Sequence, residues 1–481
     1  MHYICVMIKP PFLIFGVWIW VFAGILNLPA QSPKGQSQRF ELLRKNPDSL
    51  RLFFQAMPKG GELHHHYSGA IPANLYFSFA RKAGMGLDTM SWKWYPADSL
   101  KSHKLTPVRS WKSSLQTEIQ EKLNTRWTVK GYAASGLSSE DFFFHVFTEF
   151  DPLTGPEFWP MGFRYLLNEA RDQKINYRET ILIEPTHSVS APSEWNSEIR
   201  NLILKKDTNA LNKKLRQVIL SGMLNKAQIP GLDLIDTLMP NLENEFPDQT
   251  LRLQFYVVRV REPFDFFIRL AKSFEIAKQN KYFVNVNLVA PEDNPIALKD
   301  YGLHLWMYHF CQVYYSGLSA SVHAGEITQN EVDPSQLGWH ISSLVERVHP
   351  QRIGHGVDVP LGEKGDSLLL ALSNLRTAVE INLSSNKFIL GVSGNNHPFM
   401  RYIKARVPLV ISTDDPAILE TNLIKEFIFL TQTYPDVGYL DIREMIVNSL
   451  EFSFLREPEL LKKRKQELIH ALTAFESNWL K

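Results

Sequence analysis

Short apolar runs rich in β-branched and aromatic residues recur along the chain, and longer stretches with helical spacing separate them. Seven of these runs predict strands: Tyr177–Ile183, Leu251–Val260, Tyr282–Val289, Leu318–His323, Arg352–Val357, Ala378–Leu383 and Val407–Ser412. Between them, Ile296–Tyr315 and Asn422–Thr433 have the periodicity of helices. Strand alternating with helix is typical of an α/β protein with a parallel sheet. One further strand that ends near His64 brings the number to eight, which predicts a (β/α)8 TIM barrel.

One region lies outside this alternation. Residues 85–155 contain no clear strand–helix unit, although the run Phe142–Phe147 predicts a buried helix. We interpret this region as an insertion that follows the first strand. The barrel, with this insertion, is predicted over residues 57–481.

The N-terminal region has the pattern of an export signal. An apolar run from Phe12 to Leu26 follows Lys9 and precedes Ala30, a small residue at a plausible cleavage point. The run has the length of a signal-peptide hydrophobic region and is shorter than the ~20 residues that span a bilayer. We therefore predict a signal peptide over residues 1–30 and a helical extension over 31–56. An uncleaved membrane anchor is the alternative.

Charge and cysteine usage narrow the class of protein. The chain has 481 residues and a formal net charge of +2, so we expect no nucleic-acid partner. Removal of the signal takes away Lys9 and no acidic residue, which leaves +1 and no expected membrane span. Because Cys5 lies in the signal, Cys311 remains alone and cannot form an intramolecular disulfide. An exported protein without disulfides fits a bacterial periplasm or surface, so the predicted location is secreted or periplasmic.

Four motifs carry residues that can bind a metal or move a proton. The first is His64-His65-His66. Residues i and i+2 of a strand project from one face, so His64 and His66 could bind one zinc ion. Because the three histidines are consecutive, His65 could be a ligand instead, or the cluster could be incidental.

The second motif runs from Ser321 to Glu326, at the end of a predicted strand. There His323 can meet the first two histidines, and Glu326 can reach the same cavity. Gly325 leaves room for the backbone to approach a ligand. A loop with a core histidine is the alternative interpretation.

The third and fourth motifs also follow predicted strands. In one, glycines flank His355; in the other, Asp414 and Asp415 are adjacent and precede Pro416. Two adjacent carboxylates beyond a buried strand require a cation or a proton-bearing partner. Alternatively, Asp415 before a proline forms only a turn.

The order of the motifs adds to what each one indicates. They fall at the ends of the first, fifth, sixth and eighth predicted strands, and in a barrel those ends converge on the face where active sites are built. Four potential zinc ligands then meet: His64, His66, His323 and Asp414. Three further groups remain for proton transfer and polar contacts: Glu326, His355 and Asp415.

These motifs resemble the adenosine deaminase family, and more closely its secreted branch, the adenosine deaminase-related growth factors. The resemblance extends from about Met57 to Glu426. The matching segments, in the family order, are Met57–His64, Tyr177–Glu179, Leu288–Asp293, Ser321–Glu326, Arg352–Gly356, Glu380–Asn386 and Ser412–Pro416. An insertion after the first strand is also a feature of that branch. The resemblance implies an enzyme that removes ammonia from a purine.

The resemblance also implies a role for each matching residue. One zinc ion per chain would be bound by His64, His66, His323 and Asp414. Glu326 would be the proton shuttle, His355 the partner of the hydroxide on zinc, and Asp415 a contact to the purine. The substrate site would be completed by Gly325, Ser68 and Ala290. The expected reaction converts the nucleosides adenosine and 2′-deoxyadenosine to inosine and 2′-deoxyinosine, with release of ammonia.

Four positions depart from the family pattern. Ser68 replaces an acidic or amide residue near the ribose 5′ end, Asn287 and Ala290 replace residues that are commonly Asp and Gly, and Ile181 stands where Arg is common. The change at Ser68 leaves adenine and modified adenine nucleotides as alternative substrates. A secreted binding protein that kept the fold is the alternative to an enzyme.

Two other classes of zinc hydrolase fit the sequence less well. The cytidine deaminase type uses a P-C-x-x-C motif, which the single cysteine of the mature chain excludes. A binuclear amidohydrolase would need a bridging lysine at the end of the fourth strand. No lysine occurs between Asn285 and Leu298, which favours a single metal.

Overall fold

The computed structural model describes residues 33–481, so the predicted signal peptide lies outside the described residues. Eight parallel strands form the centre of the molecule: β1 (Gly60–Glu62), β2 (Ile175–Ile183), β3 (Thr250–Val258), β4 (Phe283–Val289), β5 (Ser321–Ala324), β6 (Arg352–His355), β7 (Ala378–Ile381) and β8 (Leu409–Ile411). Each lies within a few residues of the predicted position. The predicted α/β barrel is confirmed.

Helices surround the strands. They are Pro33–Arg44, Pro47–Ala56, Tyr67–Ala70, Ala73–Ala83, Ser113–Arg126, Tyr132–Ser135, Ser139–Phe150, Trp159–Asp172, Trp195–Leu204, Thr208–Leu220, Leu232–Glu245, Pro263–Gln279, Pro295–Tyr315, His340–Val348, Glu363–Leu375, Leu383–Ile389, Phe399–Ala405, Leu423–Thr433, Tyr439–Glu451 and Pro458–Trp479. Both helices predicted from periodicity are present. Within residues 33–481, none of the helices combines the length and apolar character needed to cross a membrane.

The strands form two four-stranded parallel sheets, β1–β2–β3–β4 and β5–β6–β7–β8, which meet at two seams. At the β8–β1 seam the pairing is between backbone groups: His66 N donates to Asp414 O (2.9 Å) and Asp414 N donates to His64 O (3.2 Å). At the β4–β5 seam the side chain of Asn285 pairs with the backbone of Ser321. Its Nδ2 donates to Ser321 O (2.9 Å) and its Oδ1 accepts from Ser321 N (3.1 Å).

A layer of buried polar side chains crosses the barrel interior below the strand ends. The guanidinium of Arg352 donates to Glu179 on β2 and to Glu380 on β7. Gln254 Nε2 on β3 donates to the same Glu179 carboxylate (2.8 Å). Because each of these charges has a partner, the layer avoids the cost of a buried, uncompensated ion and forms a fixed floor for the site above it.

Two long connections interrupt the strand–helix alternation in the first half of the chain. The one after β1 includes the predicted insertion 85–155 and contains the hairpin Gly86–Asp88/Lys93–Tyr95. Its helix Ser139–Phe150 is the predicted aromatic helix, and Phe142 and Phe143 are buried. The connection after β2 contains three helices and a short two-stranded sheet, and was not anticipated from the sequence.

Candidate active site

Several residues at the carboxyl ends of the strands have left-handed backbone conformations. His355 and Asp414 each have φ of 64°, and Ala290 has φ of 82°. A residue with a Cβ pays about 1–2 kcal/mol in this region. Such strain persists where the surrounding structure fixes it, and it clusters at functional sites. The backbone geometry therefore marks the same end of the barrel as the sequence motifs.

Asp414 is the centre of a buried histidine–carboxylate cluster. Its Oδ1 lies 3.3 Å from His64 Nε2 and 3.1 Å from His66 Nε2. The rings of His64 and His323 are 4.4 Å apart, and those of His66 and His323 are 5.4 Å apart. The structure thus brings the four predicted zinc ligands together.

The middle histidine of the triplet points elsewhere. His65 Nδ1 forms a hydrogen bond with Thr180 Oγ1 (3.0 Å) on β2. We predicted that His64 and His66 project from one face of a strand. This was wrong, because β1 ends at Glu62, before the triplet. His64 and His66 are positioned by their backbone bonds to Asp414, which hold the chain beyond the strand end.

His64 and His323 have the protonation pattern of metal ligands. His64 Nδ1 lies 2.7 Å from Glu380 Oε2, an acceptor, so this nitrogen carries the hydrogen. His323 Nδ1 lies 2.8 Å from Asn287 Oδ1, which also accepts from His323 N (3.1 Å). In its neutral form, each imidazole therefore directs the Nε2 lone pair into the cluster. A hydrogen bond from the second ring nitrogen is usual for histidines that bind zinc.

Two groups of described side chains could hold a metal, and they separate His66 from His64: His66, Asp414 and Asp415 form one group, and the other has four members. Ligand atoms of His64, His323, His355 and Asp414 all lie within 4.8 Å of one another, so geometry alone allows His355 in place of His66. His355 Nε2 lies 3.4 Å from Glu326 Oε1, and its Nδ1 lies 2.9 Å from Asn386 Nδ2. The Nδ1 atom of His355 thus faces an amide nitrogen, whereas the Nδ1 atoms of His64 and His323 face oxygen atoms.

The electrostatics of the cluster favour a cation. Burial alone would lower the pKa of His64, but its contact with Asp414 and its hydrogen bond with Glu380 raise that pKa to about 10. His64 Nε2 is nevertheless buried without a hydrogen bond. A divalent cation would supply positive charge at this nitrogen. Imidazole nitrogens with a carboxylate oxygen are donors that zinc prefers, so the residues fit the ion.

The pKa values of two buried carboxyl groups next to the cluster are raised. Burial raises the pKa of Glu326 well above its usual range, and the charge of Asp414 raises it further. The same two causes raise the pKa of Asp415. Asp415 Oδ1 is buried and has no hydrogen-bond partner among the described residues. A Cβ on Gly69 would lie 1.7 Å from that oxygen, so a side chain at this position would displace the carboxyl group.

Glu292 is a site residue to which sequence reasoning gave no role. It is buried in the loop after β4, and it accepts hydrogen bonds from the backbone N–H of Gly325 (3.1 Å) and Glu326 (2.9 Å). His340 Nδ1 (2.6 Å) and Arg259 (3.3 Å) hold the same carboxylate. Glu292 therefore fixes the turn that presents Glu326. The signal available in the sequence was that Glu292 lies in Leu288–Asp293, one of the segments that resemble the family.

The remaining predicted substrate contacts lie around the cluster. Ser68 is half-buried in the short helix after His66, and its carbonyl accepts from Tyr76 (2.8 Å). Ala290 lies at the end of β4. The backbone N–H of Gly325 already donates to Glu292. A Cβ at this position would lie 2.7 Å from the side chain of Ile341. Substrate contact by these residues stays a prediction.

A parallel barrel with buried histidines and carboxylates at its strand ends is the architecture of metal-dependent barrel hydrolases. The family model described as adenosine deaminase matches residues 280–473, which include β4 to β8. The predicted resemblance to the adenosine deaminase family is thereby confirmed over this part of the chain.

Individual relatives carry different activities in their names. The chain is 28% identical over 161 residues to an adenosine deaminase of Clostridium kluyveri, which covers 33% of this chain and 42% of the relative. It is 31% identical over 146 residues to an adenine deaminase of Rhizobium leguminosarum, covering 30% and 41%. The chain thus spans about two fifths of the length of these relatives.

A solved structure supports the fold over most of the chain. An amidohydrolase from Burkholderia ambifaria with bound zinc covers 89% of this chain and 94% of its own, with a TM-score of 0.58 and 15% identity. At that identity the likeness concerns the fold alone.

Proposed function

We propose that this chain is a zinc-dependent hydrolytic deaminase of 6-aminopurines, with adenosine and 2′-deoxyadenosine as its substrates. The observation that carries the proposal is the pair of buried carboxyl groups, Glu326 and Asp415, whose pKa values burial and the charge of Asp414 raise. A metal site alone would serve many hydrolases. A metal site beside two carboxyl groups that tend to keep a proton suits a heterocycle whose ring nitrogens accept hydrogen bonds.

The reaction follows from these groups. Bound zinc would lower the pKa of a coordinated water to about 7 and so supply hydroxide at neutral pH. As a carbon–oxygen bond forms at C6, Glu326 gives its proton to ring N1, which removes aromaticity at the attacked carbon. Asp415 holds the purine through a hydrogen bond. The hydroxyl group now on C6 gives its proton to the Glu326 carboxylate, which passes it to the amino group. The carbon–nitrogen bond at C6 then breaks, ammonia leaves, and a 6-oxopurine remains, while Glu326 regains its proton from the next water molecule.

Adenine is the second candidate substrate, because one of the relatives is an adenine deaminase and Ser68 departs from the pattern expected near a ribose. A serine hydroxyl can donate as well as accept a hydrogen bond. Loss of a charge-assisted bond to the sugar costs roughly 1 kcal/mol or more. We therefore expect a higher KM for adenosine than relatives with an acidic residue here, and we expect Ser68→Asp to lower it.

A substrate panel tests the proposal. Protein made without residues 1–30 and loaded with zinc would be assayed for ammonia release from adenosine, 2′-deoxyadenosine, adenine and AMP. We expect both nucleosides to be deaminated. If adenine or AMP is better by tenfold in kcat/KM, a gap of about 1.4 kcal/mol, the nucleoside assignment is wrong and the deaminase assignment stands. Binding without ammonia release from any purine would favour the binding-protein alternative.

We also propose that the protein is exported. The apolar run that ends before Ala30 supports this, and mature protein from the native host should begin at or near Gln31. N-terminal sequencing of protein from the periplasm and the medium would test it. A full-length chain in the cytoplasm would contradict the proposal.

A further inference from the structure

His355 Nδ1 is the first link of a buried hydrogen-bond chain that leads away from the site. Asn386 Nδ2 lies 2.9 Å from this nitrogen, and Asn386 Oδ1 lies 3.1 Å from His397 Nε2. His397 Nδ1 in turn accepts from the backbone N–H of Phe399 (3.1 Å). The side chains of His355, Asn386 and His397 are all buried.

The backbone amide of Phe399 determines the direction of every bond in this chain. A backbone N–H can only donate, so His397 Nδ1 accepts, and the hydrogen of the neutral ring lies on Nε2. That hydrogen faces the oxygen of Asn386, because an amide oxygen only accepts. The amide NH2 of Asn386 then faces His355, whose Nδ1 must accept. The hydrogen of His355 therefore lies on Nε2.

Each of the two histidines accepts a hydrogen bond at Nδ1, from Asn386 Nδ2 and from Phe399 N, so neither Nδ1 carries a hydrogen. A neutral imidazole has one donor and one acceptor nitrogen, so the assignment of one nitrogen fixes the other.

We propose that Asn386 and His397 are positioning residues, which lock His355 in the tautomer that donates a hydrogen bond from Nε2. Its role within catalysis rests on the proposed function. In this tautomer His355 has no lone pair on Nε2, so it cannot replace His66 as a metal ligand. It also cannot act as a general base, but it can stabilise negative charge on an attacking oxygen.

The partner of Nδ1 thus separates the three histidines of the four-residue group, His64, His323 and His355, into two kinds. His64 and His323 face acceptors and present lone pairs, whereas His355 faces a donor and presents a hydrogen. The same four-atom geometry would otherwise allow His355 to bind the metal. The hydrogen bond at Nδ1 therefore decides which imidazole can bind the metal through Nε2 and which one donates a hydrogen bond from Nε2.

Nitrogen NMR of the metal-free protein tests the tautomer directly. Histidine labelled with 15N would be incorporated, and the His355 signals assigned by their loss in His355→Asn. We expect a protonated Nε2 and an unprotonated Nδ1 throughout pH 6–8. A protonated Nδ1 would overturn the proposal. Because this measurement needs neither metal nor substrate, its result is independent of whether the protein deaminates purines.

The kinetics of matched variants test the hydrogen-bond chain that runs from His397 through Asn386 to His355. Asn386→Asp places an acceptor opposite His355 Nδ1, so the ring should present a lone pair at Nε2. We expect kcat to fall about 100- to 1,000-fold, as when one donor to a developing oxyanion is lost, with KM changed less than threefold. The NMR signals of His355 should show the reversed tautomer.

His397→Gln is the conservative control, since its amide NH2 can donate to Asn386 at the position of the lost Nε2. We expect kcat within threefold of wild type, whereas His397→Leu should lose roughly tenfold or more through mixed tautomers. An Asn386→Asp protein that folds, binds one zinc and keeps normal kcat would overturn the proposal. Equal losses in His397→Gln and His397→Leu would overturn the part assigned to His397.

Discussion

At the β8–β1 seam, backbone groups of His64, His66 and Asp414 pair directly, and one side chain adds a bond, because His64 N donates to Ser412 Oγ (3.2 Å). At the β4–β5 seam the corresponding bonds come from the side chains of Asn285 and Asn287. The first seam is therefore closed mainly by backbone pairing and the second by two particular side chains. Substitutions at the second seam should cost far more stability.

The candidate metal ligands lie across both seams. His64, His66 and Asp414 come from the first, while His323 follows β5 at the second and is held by Asn287. A metal bound here would join the edges of the two sheets. Metal binding would thus stabilise the closed barrel.

The largest expected effect comes from removal of the metal. Chelation should abolish turnover and lower the thermal midpoint, because a ligand that binds only the folded state stabilises it. His323→Ala should lose the stoichiometric zinc as well as activity. Elemental analysis, activity and thermal melts would be measured on the same preparations.

His65→Gln is the matched control for metal loss, since His65 lies in the same triplet and points to Thr180. It should keep one zinc per chain. Two metals per wild-type chain, or full activity without metal, would contradict a single site shared by the two seams.

The next effect concerns Glu326, which the second seam presents to the cluster. Glu326→Gln should keep the zinc and the fold but lose about 10²- to 10⁴-fold in kcat, because the amide cannot transfer a proton. Steady-state kinetics with adenosine, together with zinc content, would measure this. Near-normal turnover would remove Glu326 from its proposed role.

The comparison of the seams itself is tested by Asn285→Leu. The similar-sized side chain would leave the buried N–H of Ser321 without its acceptor, and Ser321 O and Gln254 Oε1 would each lose the donor Asn285 Nδ2. Buried unpaired groups cost about 1–3 kcal/mol each, so the free energy of unfolding should fall by about 2–5 kcal/mol.

Asn176→Leu on β2 is the matched control, because that side chain makes one hydrogen bond, to Arg464 O (3.2 Å). It should cost less than about 1.5 kcal/mol in the same denaturant titration. Equal losses for the two variants would show that the β4–β5 seam does not depend on its asparagine.

The sequence predicted the barrel and the main site residues because both are encoded locally. Each strand is a short apolar run, and His323, His355 and Asp414 follow such runs directly. The rule that strand ends converge in a barrel then places these residues together. No knowledge of side-chain contacts was needed.

The residues that were missed act across large sequence separations. Asn287 meets His323 across 36 positions, and Glu292 meets Glu326 across 34. Such pairings depend on strand register and on where loops cross, which no local pattern encodes. The placement of His64 and His66 by backbone bonds to Asp414 is of the same kind, and strand alternation could not predict it.

The smallest expected effect concerns the strained end of β4. Ala290 has φ of 82°, a conformation in which a Cβ costs about 1–2 kcal/mol, whereas glycine adopts it freely. Ala290→Gly removes this strain but adds chain entropy to the unfolded state, a cost of about 0.5–1 kcal/mol. We therefore expect a net stabilisation of about 0.5–1 kcal/mol, measured as a higher denaturant midpoint at unchanged slope. Ala474→Gly, on the exposed face of the helix Pro458–Trp479, is the control with the opposite sign, because glycine in a helix costs about 1 kcal/mol relative to alanine. If both substitutions destabilise the protein equally, the backbone at Ala290 is not strained, and the left-handed turn at this end of the second seam is maintained at no cost.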